Sequence, residues 1–197
     1  MNTIAILILA AGGSSRMKEK IKQLLPWRKT TLLGHAIAEA KKLKVQKVCV
    51  VLGANAELIK STIGSEKITI LDYKNWEQGI GTTIAFGVDY LAKENKYDAI
   101  LIILADQPLM DANYLELLLS TYNSDSSKII ATKYADTIGV PAIFGKEYFD
   151  ELVNLSGDSG AKKLLSFKNV VVLNPKGKVV DIDTWEEYER LKTKSGA

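Results

Sequence analysis

Leu9-Ala10-Ala11-Gly12-Gly13-Ser14-Ser15-Arg16-Met17 follows an apolar run, Ile4 to Leu9, that is long enough for one buried strand. Two adjacent glycines let the chain turn sharply and let backbone N–H groups approach a ligand with no Cβ in the way. Ser14 and Ser15 add short hydroxyl donors, and Arg16 adds a planar cationic fork suited to phosphate oxygens. Only three arginines (Arg16, Arg28, Arg190) stand among 26 basic residues, so an arginine at this turn is a distinctive choice. The stretch has neither the Gly-Lys-Ser/Thr of a Walker A loop nor the Gly-x-Gly-x-x-Gly of a dinucleotide fingerprint. Taken by itself it supports two readings, an ordinary turn after a strand and a phosphate-binding turn.

Outward from this stretch, strands and helices alternate. Residues 3–10 read as the first strand. Lys18, Glu19, Lys20 and Lys22 make a charged surface segment, and Gln23 to Trp27 return toward the core. Thr30 or Thr31 caps a helix whose apolar positions, Leu32, Leu33, Ala36, Ile37, Ala40 and Leu43, keep helical spacing. His35, the single histidine, falls on this helix with no acidic or hydroxyl partner nearby in sequence, which predicts a partly exposed side chain. Residues 46–52 form a continuous apolar strand that suits a sheet covered on both faces. A short helix over 55–63 and a strand over 67–71 follow. Asn75 to Thr83 is polar and glycine-broken ahead of a helix over about 82–93. It reads either as a surface loop with a docking tryptophan or as a loop that contacts a base or ribose.

Residues 98–104 read as a central parallel strand, and Ala105-Asp106-Gln107-Pro108 follows at once. A carboxylate just past the C-terminal end of a buried strand sits where open α/β sheets bind ligands. Asp111 is the better cap for the helix over 111–122, which frees Asp106. Strands near 128–133 and 138–144, a helix over 146–153, and a helix opened and capped by Asp158 come next. Strands over 169–173 and 178–182 precede a capping box, Thr184 with Glu187, that starts the last helix. The alternation predicts an α/β fold with a mainly parallel central sheet.

A chain of 197 residues fits one domain over 1–197. A net charge of +3 gives no argument for nucleic acid. The single cysteine, Cys49, lies in an apolar run and reads as a packed hydrophobe, outside any disulfide or zinc site. No basic leader precedes the first strand, and no apolar stretch nears the ~18 residues that span a bilayer, so the expected location is cytoplasmic.

The glycine loop, Lys22-Gln23-Leu24-Leu25-Pro26-Trp27, Asp106-Gln107-Pro108 and Asp181-Ile182-Asp183-Thr184 occur in this order. Together they resemble the family of molybdopterin guanylyl- and cytidylyltransferases. Asn75-Trp76, Gly79 to Thr83 and Gly157 to Lys162 bring the chain nearest its cytidylyl branch. The resemblance implies a Rossmann-like three-layer α/β/α domain, with a nucleotide-binding half near 1–110 and an acceptor-binding half near 111–197. It implies transfer of a nucleotidyl group from CTP to the phosphate of molybdopterin or the molybdenum cofactor, with Mg²⁺ and with pyrophosphate leaving.

By the same resemblance, Leu9, Ala10, Ala11, Gly12, Gly13, Ser14 and Ser15 lie at the base and phosphates, and Gly81 and Thr82 lie near the base or ribose. Arg16 and Lys22 hold the triphosphate. Asp106 and Asp183 hold the metal, with Asp181 as a neighbour. Gln107, Pro108, Gly139, Pro141, Asp158 and Lys162 serve the acceptor. A molybdenum hydroxylase is an implied partner. Lys18 stands where the family has glycine, Val140 where the branch has histidine, Lys162 where it has arginine and Trp185 where it has proline. Alternatives are a guanylyltransferase, a cytidylyltransferase for another phosphorylated small molecule, and a non-catalytic cofactor-delivery chaperone.

Overall fold

The computed structural model describes residues 2–63, 67–166 and 169–196, the side chain of Lys163 excepted. Strand β1 (Ile4–Ala10) is buried along its whole length. It lies between β4 (Lys47–Leu52) and β6 (Ala99–Leu104) and is parallel to both. Beyond β4 runs β5 (Thr69–Asp72), and beyond β6 run β8 (Ile138–Gly145), β7 (Ile129–Lys133) and β9 (Val170–Leu173). The sheet order is β5-β4-β1-β6-β8-β7-β9. Strand β8 is antiparallel to both neighbours, and the other pairs are parallel. The mainly parallel α/β sheet expected from the alternation is present. A two-residue hairpin, β2 (Pro26–Trp27) with β3 (Thr30–Thr31), lies apart.

Alternate side chains of β1 point to opposite faces of the sheet. Ile4, Ile6 and Ile8 pack with Leu33, Ile37 and Ile59 of α1 (Leu32–Lys41) and α2 (Ala56–Ile63), and with Leu115 of α4 (Ala112–Ser124). Ala5, Leu7 and Leu9 pack with Ile84 and Val88 of α3 (Ile80–Lys93), Leu152 of α5 (Phe149–Val153) and Leu164 of α6 (Lys162–Leu165). Helices therefore cover both faces, which explains why the central strands read as unbroken apolar runs. A third cluster joins Met17 of the glycine loop, Trp27 and Leu32 to Ile182, Tyr188 and Leu191 around α7 (Trp185–Ser195).

Local signals placed the helix starts. Thr31 caps α1 through Gly34 N–H at 3.0 Å, Asp111 caps α4 through Tyr114 N–H at 3.0 Å, and the Thr184–Glu187 capping box opens α7. Two expectations need correction. Lys178 to Ile182 is not a strand; one backbone bond, from Ile182 N–H to the Asp106 carbonyl, ties this segment beside the sheet. Asp158 is not the residue at the start of α6; it lies inside a 3-10 turn, Gly157–Ser159, that packs on Gly79. No described helix is long and apolar enough to cross a membrane.

Candidate nucleotidyl-transfer site

The chain leaves β1 to one side through β4 and β5, while β6 lies on the other side. Open sheets bind ligands at such a reversal, outside the C-terminal strand ends. A cleft of about 360 Å³ lies there, lined among others by Ala10, Ala11, Gly12, Lys22, Trp76 and Asp106.

The two loop glycines have different causes. A Cβ on Gly13 would come within 2.7 Å of the Trp76 ring, so the protein itself needs glycine there. A Cβ on Gly12 would meet nothing within 4 Å, and its φ lies outside the left-handed range. Nothing internal demands glycine at Gly12, which lines the cleft. Gly12→Ala should therefore keep the melting temperature within about 2 °C while weakening nucleotide binding, whereas Gly13→Ala should lower it by about 4 °C or more as Trp76 is displaced. Thermal melts and nucleotide titrations of the two variants check this. A Gly12→Ala protein that binds nucleotide normally would remove the cleft reading of that glycine.

Lys22 starts a short 3-10 turn, Lys22–Leu24, that packs beneath the loop. Gln23 is buried, and its amide donates to the carbonyls of Ala10 at 2.8 Å and Gly12 at 2.9 Å. Ser14 Oγ accepts from the Lys22 backbone N–H at 2.9 Å and donates to Gln23 Oε1 at 3.3 Å. The Ser14 hydroxyl thus holds the loop, and its proton is not free for a phosphate. Ser15 and Arg16 are exposed. Lys18, where glycine was expected, adopts a left-handed φ of 49°, a backbone that glycine takes at lower cost.

Two carboxylates meet across this loop. Asp106 follows β6, and Asp183 arrives just before α7, where its N–H donates to Glu187 Oε2 at 2.9 Å. Lys22 Nζ lies 2.6 Å from Asp106 Oδ2 and 3.4 Å from Asp183 Oδ1, and Arg16 reaches Asp183 Oδ2 at 3.5 Å. Asp106 Oδ1 is buried with no hydrogen-bond partner. An unmet buried carboxylate oxygen calls for an explanation, and a divalent cation supplies one. Among the described residues no group of three or more acidic, histidine or cysteine side chains converges. Two carboxylates together with ligand phosphates suit Mg²⁺ or Mn²⁺ better than an all-protein cage.

Helix α1 supports the Asp106 turn from behind. Contrary to expectation, His35 is buried beside Trp27, and its Nε2 lies 3.1 Å from the Pro108 carbonyl. Burial lowers its pKa, which keeps the ring neutral. Glu39 accepts from Ala112 N–H at 2.9 Å; burial pushes its carboxyl up, but Lys42 and that amide hold it below the usual range.

A second cavity of about 340 Å³ adjoins the first and shares Leu9, Ile80, Leu104 and Asp158 with it. Gly139, Lys162, Tyr134 and Asp181 line its far side. Gln107 is buried behind it and donates to Asp181 Oδ1 at 2.8 Å and to the Tyr134 hydroxyl. Asp181 is exposed as a residue at the rim, but its carboxyl is tucked against the cavity wall, and that burial, followed by the nearby charges of Asp106 and Asp183, raises its pKa. Burial beside Asp181 also raises that of Tyr134.

Some expected residues fall elsewhere. Pro108 and Pro141 are buried, their carbonyls taken by His35 and Thr132. Gly81 packs on Ser156 and Gly157, and Thr82 donates to the Gly79 carbonyl at 2.9 Å. Their neighbours Gly79, Ile80 and Thr83 line the first cleft instead. Trp76, Tyr134 and Gln23 were not among the expected site residues. For Gln23, its place next to Lys22 was the available signal.

Comparison with known proteins identifies the domain family. Residues 6–172 match the family model of the MobA-like NTP transferase domain. Rv0371c from Mycobacterium tuberculosis H37Rv superposes with a TM-score of 0.84 at 30% identity, over 96% of this chain and 97% of that one. A structure of Rv0371c in complex with manganese gives 0.78 at 27% identity, over 96% and 97%. The bifunctional protein GlmU of Pseudomonas putida is 28% identical over 146 residues, 74% of this chain. The chain spans only about a third of the length of such curated relatives (31% for this one). A domain-long family match, joined to a glycine loop and paired carboxylates at the sheet's C-terminal edge, places the chain in the MobA-like NTP transferase domain family.

Proposed function

We propose that this chain transfers a cytidylyl group from CTP to the phosphate of a molybdopterin-type acceptor and releases pyrophosphate. The observation that carries the reading is the convergence of Asp106, Lys22, Asp183 and Arg16 beside a glycine with no internal reason to be glycine. An acceptor phosphate oxygen bonds to the α-phosphorus, and the bond from that phosphorus to the β-phosphate oxygen breaks. Such a transfer rests on positioning and charge neutralisation, with no protein nucleophile required. Arg16 and Lys22 bind the triphosphate and oppose the charge that gathers on the leaving pyrophosphate. Asp106 and Asp183 would hold Mg²⁺, which when bound neutralises phosphate oxygens. The acceptor occupies the second cavity, near Gly139, Asp158 and Lys162.

The choice of base rests on Ala11, which is buried, lines the cleft and is pinned by Ala54 N–H on its carbonyl at 3.0 Å. Its methyl group takes space that a glycine would leave for a purine. One methyl-sized difference is worth about 1–3 kcal/mol, so CTP should exceed GTP by at least about tenfold in kcat/KM. Ala11→Gly should narrow that gap. The test is incubation with each of the four NTPs, Mg²⁺ and molybdopterin, with the product identified by mass. Equal use of both nucleotides, or a GTP preference, would overturn the cytidylyl choice and leave transfer intact. Binding without pyrophosphate release would point to a carrier.

A further inference from the structure

We propose that Lys22 acts as a tethered counter-ion that competes with the divalent cation for the carboxylates, so that the metal enters together with a triphosphate. The inference rests on the proposed metal role of Asp106 and Asp183. The Lys22 ammonium contacts Asp106 Oδ2 at 2.6 Å and Asp183 Oδ1 at 3.4 Å. It therefore bridges the two carboxylates expected to hold the metal. Two cations cannot share these oxygens without strong mutual repulsion.

The ammonium is also an incomplete partner. It satisfies Oδ2 of Asp106 and leaves Oδ1 buried without one. A side chain with an unmet oxygen in a poorly solvated place favours exchange for a better cation. Lys22 is built to leave, because its backbone is fixed while its side chain borders the open cleft. Ser14 Oγ holds its N–H, and Gln23, the next residue, is locked to Ala10 and Gly12. The flexible four-carbon stem then carries the charge between carboxylates and loop without moving the loop itself. Gly12 lines the same cleft as Lys22 and Asp106, so a triphosphate on the loop draws the ammonium toward itself. Each ligand then clears the other's path, which is positive coupling between nucleotide and metal.

Arg16 provides the control. It also contacts Asp183, at 3.5 Å, but the structure gives it no contact with Asp106, and its side chain is 67% exposed. Removing it takes away the same unit of charge without vacating the space between the carboxylates.

The test is Mn²⁺ binding without nucleotide, followed by electron paramagnetic resonance, on wild type, Lys22→Met, Lys22→Gln and Arg16→Met. Thermal melts establish that each variant is folded. Both Lys22 variants should bind Mn²⁺ at least about tenfold more tightly than wild type, and Arg16→Met less than about threefold more tightly. Adding Asp106→Asn to Lys22→Met should abolish the gain. Equal gains in the Lys22 and Arg16 variants would mean bulk electrostatics and overturn the exchange. So would wild-type affinity in the Lys22 variants. Mn²⁺ binding by none of the proteins would instead remove the metal reading of Asp106 and Asp183, and the exchange with it.

Discussion

Asp106→Asn should fold with a near-normal melting temperature and lose about a thousandfold or more in transfer rate, roughly 4 kcal/mol of barrier. Asparagine has nearly the same shape, and the position carries little of the fold. The Asp106 backbone carbonyl, which receives Ile182 N–H, is unchanged by the substitution. His35 and Glu39 still hold the turn from behind. What is lost is the charge of one of the two carboxylates placed at the candidate metal position. It is also the one that already has an unsatisfied buried oxygen. Pyrophosphate release at saturating Mg²⁺, compared with wild type, reads the effect. A rate within about tenfold of normal would assign the metal elsewhere.

The strands were legible because burial on both faces forces apolar runs, and β1, β4 and β6 are such runs. The helix starts at Thr31, Asp111 and Thr184 were legible because a cap is a local hydrogen bond. Asp106 was legible from its place after a strand. The site as a constellation was not, because Lys22 meets Asp106 across 84 residues and Asp183 across 161. Only the family resemblance brought them to one place in advance. His35 shows the same limit: its partner, the Pro108 carbonyl, lies 73 residues on. Gly12 and Gly13 looked alike in sequence, yet Trp76, distant in the chain, explains one and not the other. The 178–182 segment misled through its apolar Val179, Val180 and Ile182. Those side chains pack on core clusters without the chain joining the sheet ladder.

Arg16→Ala should leave stability almost untouched and cut the transfer rate by about a hundredfold to a thousandfold. The two halves of this expectation have separate grounds. Arg16 is largely exposed, and its ion pair with Asp183 at 3.5 Å joins two side chains that are 67% and 44% exposed. Pairs of that kind contribute about 0–1 kcal/mol, so the melting temperature should hold. The rate term differs because the guanidinium would act on the additional charge that develops as pyrophosphate departs, beyond the charge the bound triphosphate already carries. Losing one such donor typically costs about 2.7–4 kcal/mol of barrier. Arg16→Lys separates charge from geometry: lysine keeps the charge but lacks the planar fork. Its rate should fall between wild type and Arg16→Ala, with melting unchanged in both. If both variants turn over normally, the loop's arginine is only a surface residue, and charge stabilisation falls to Lys22 alone.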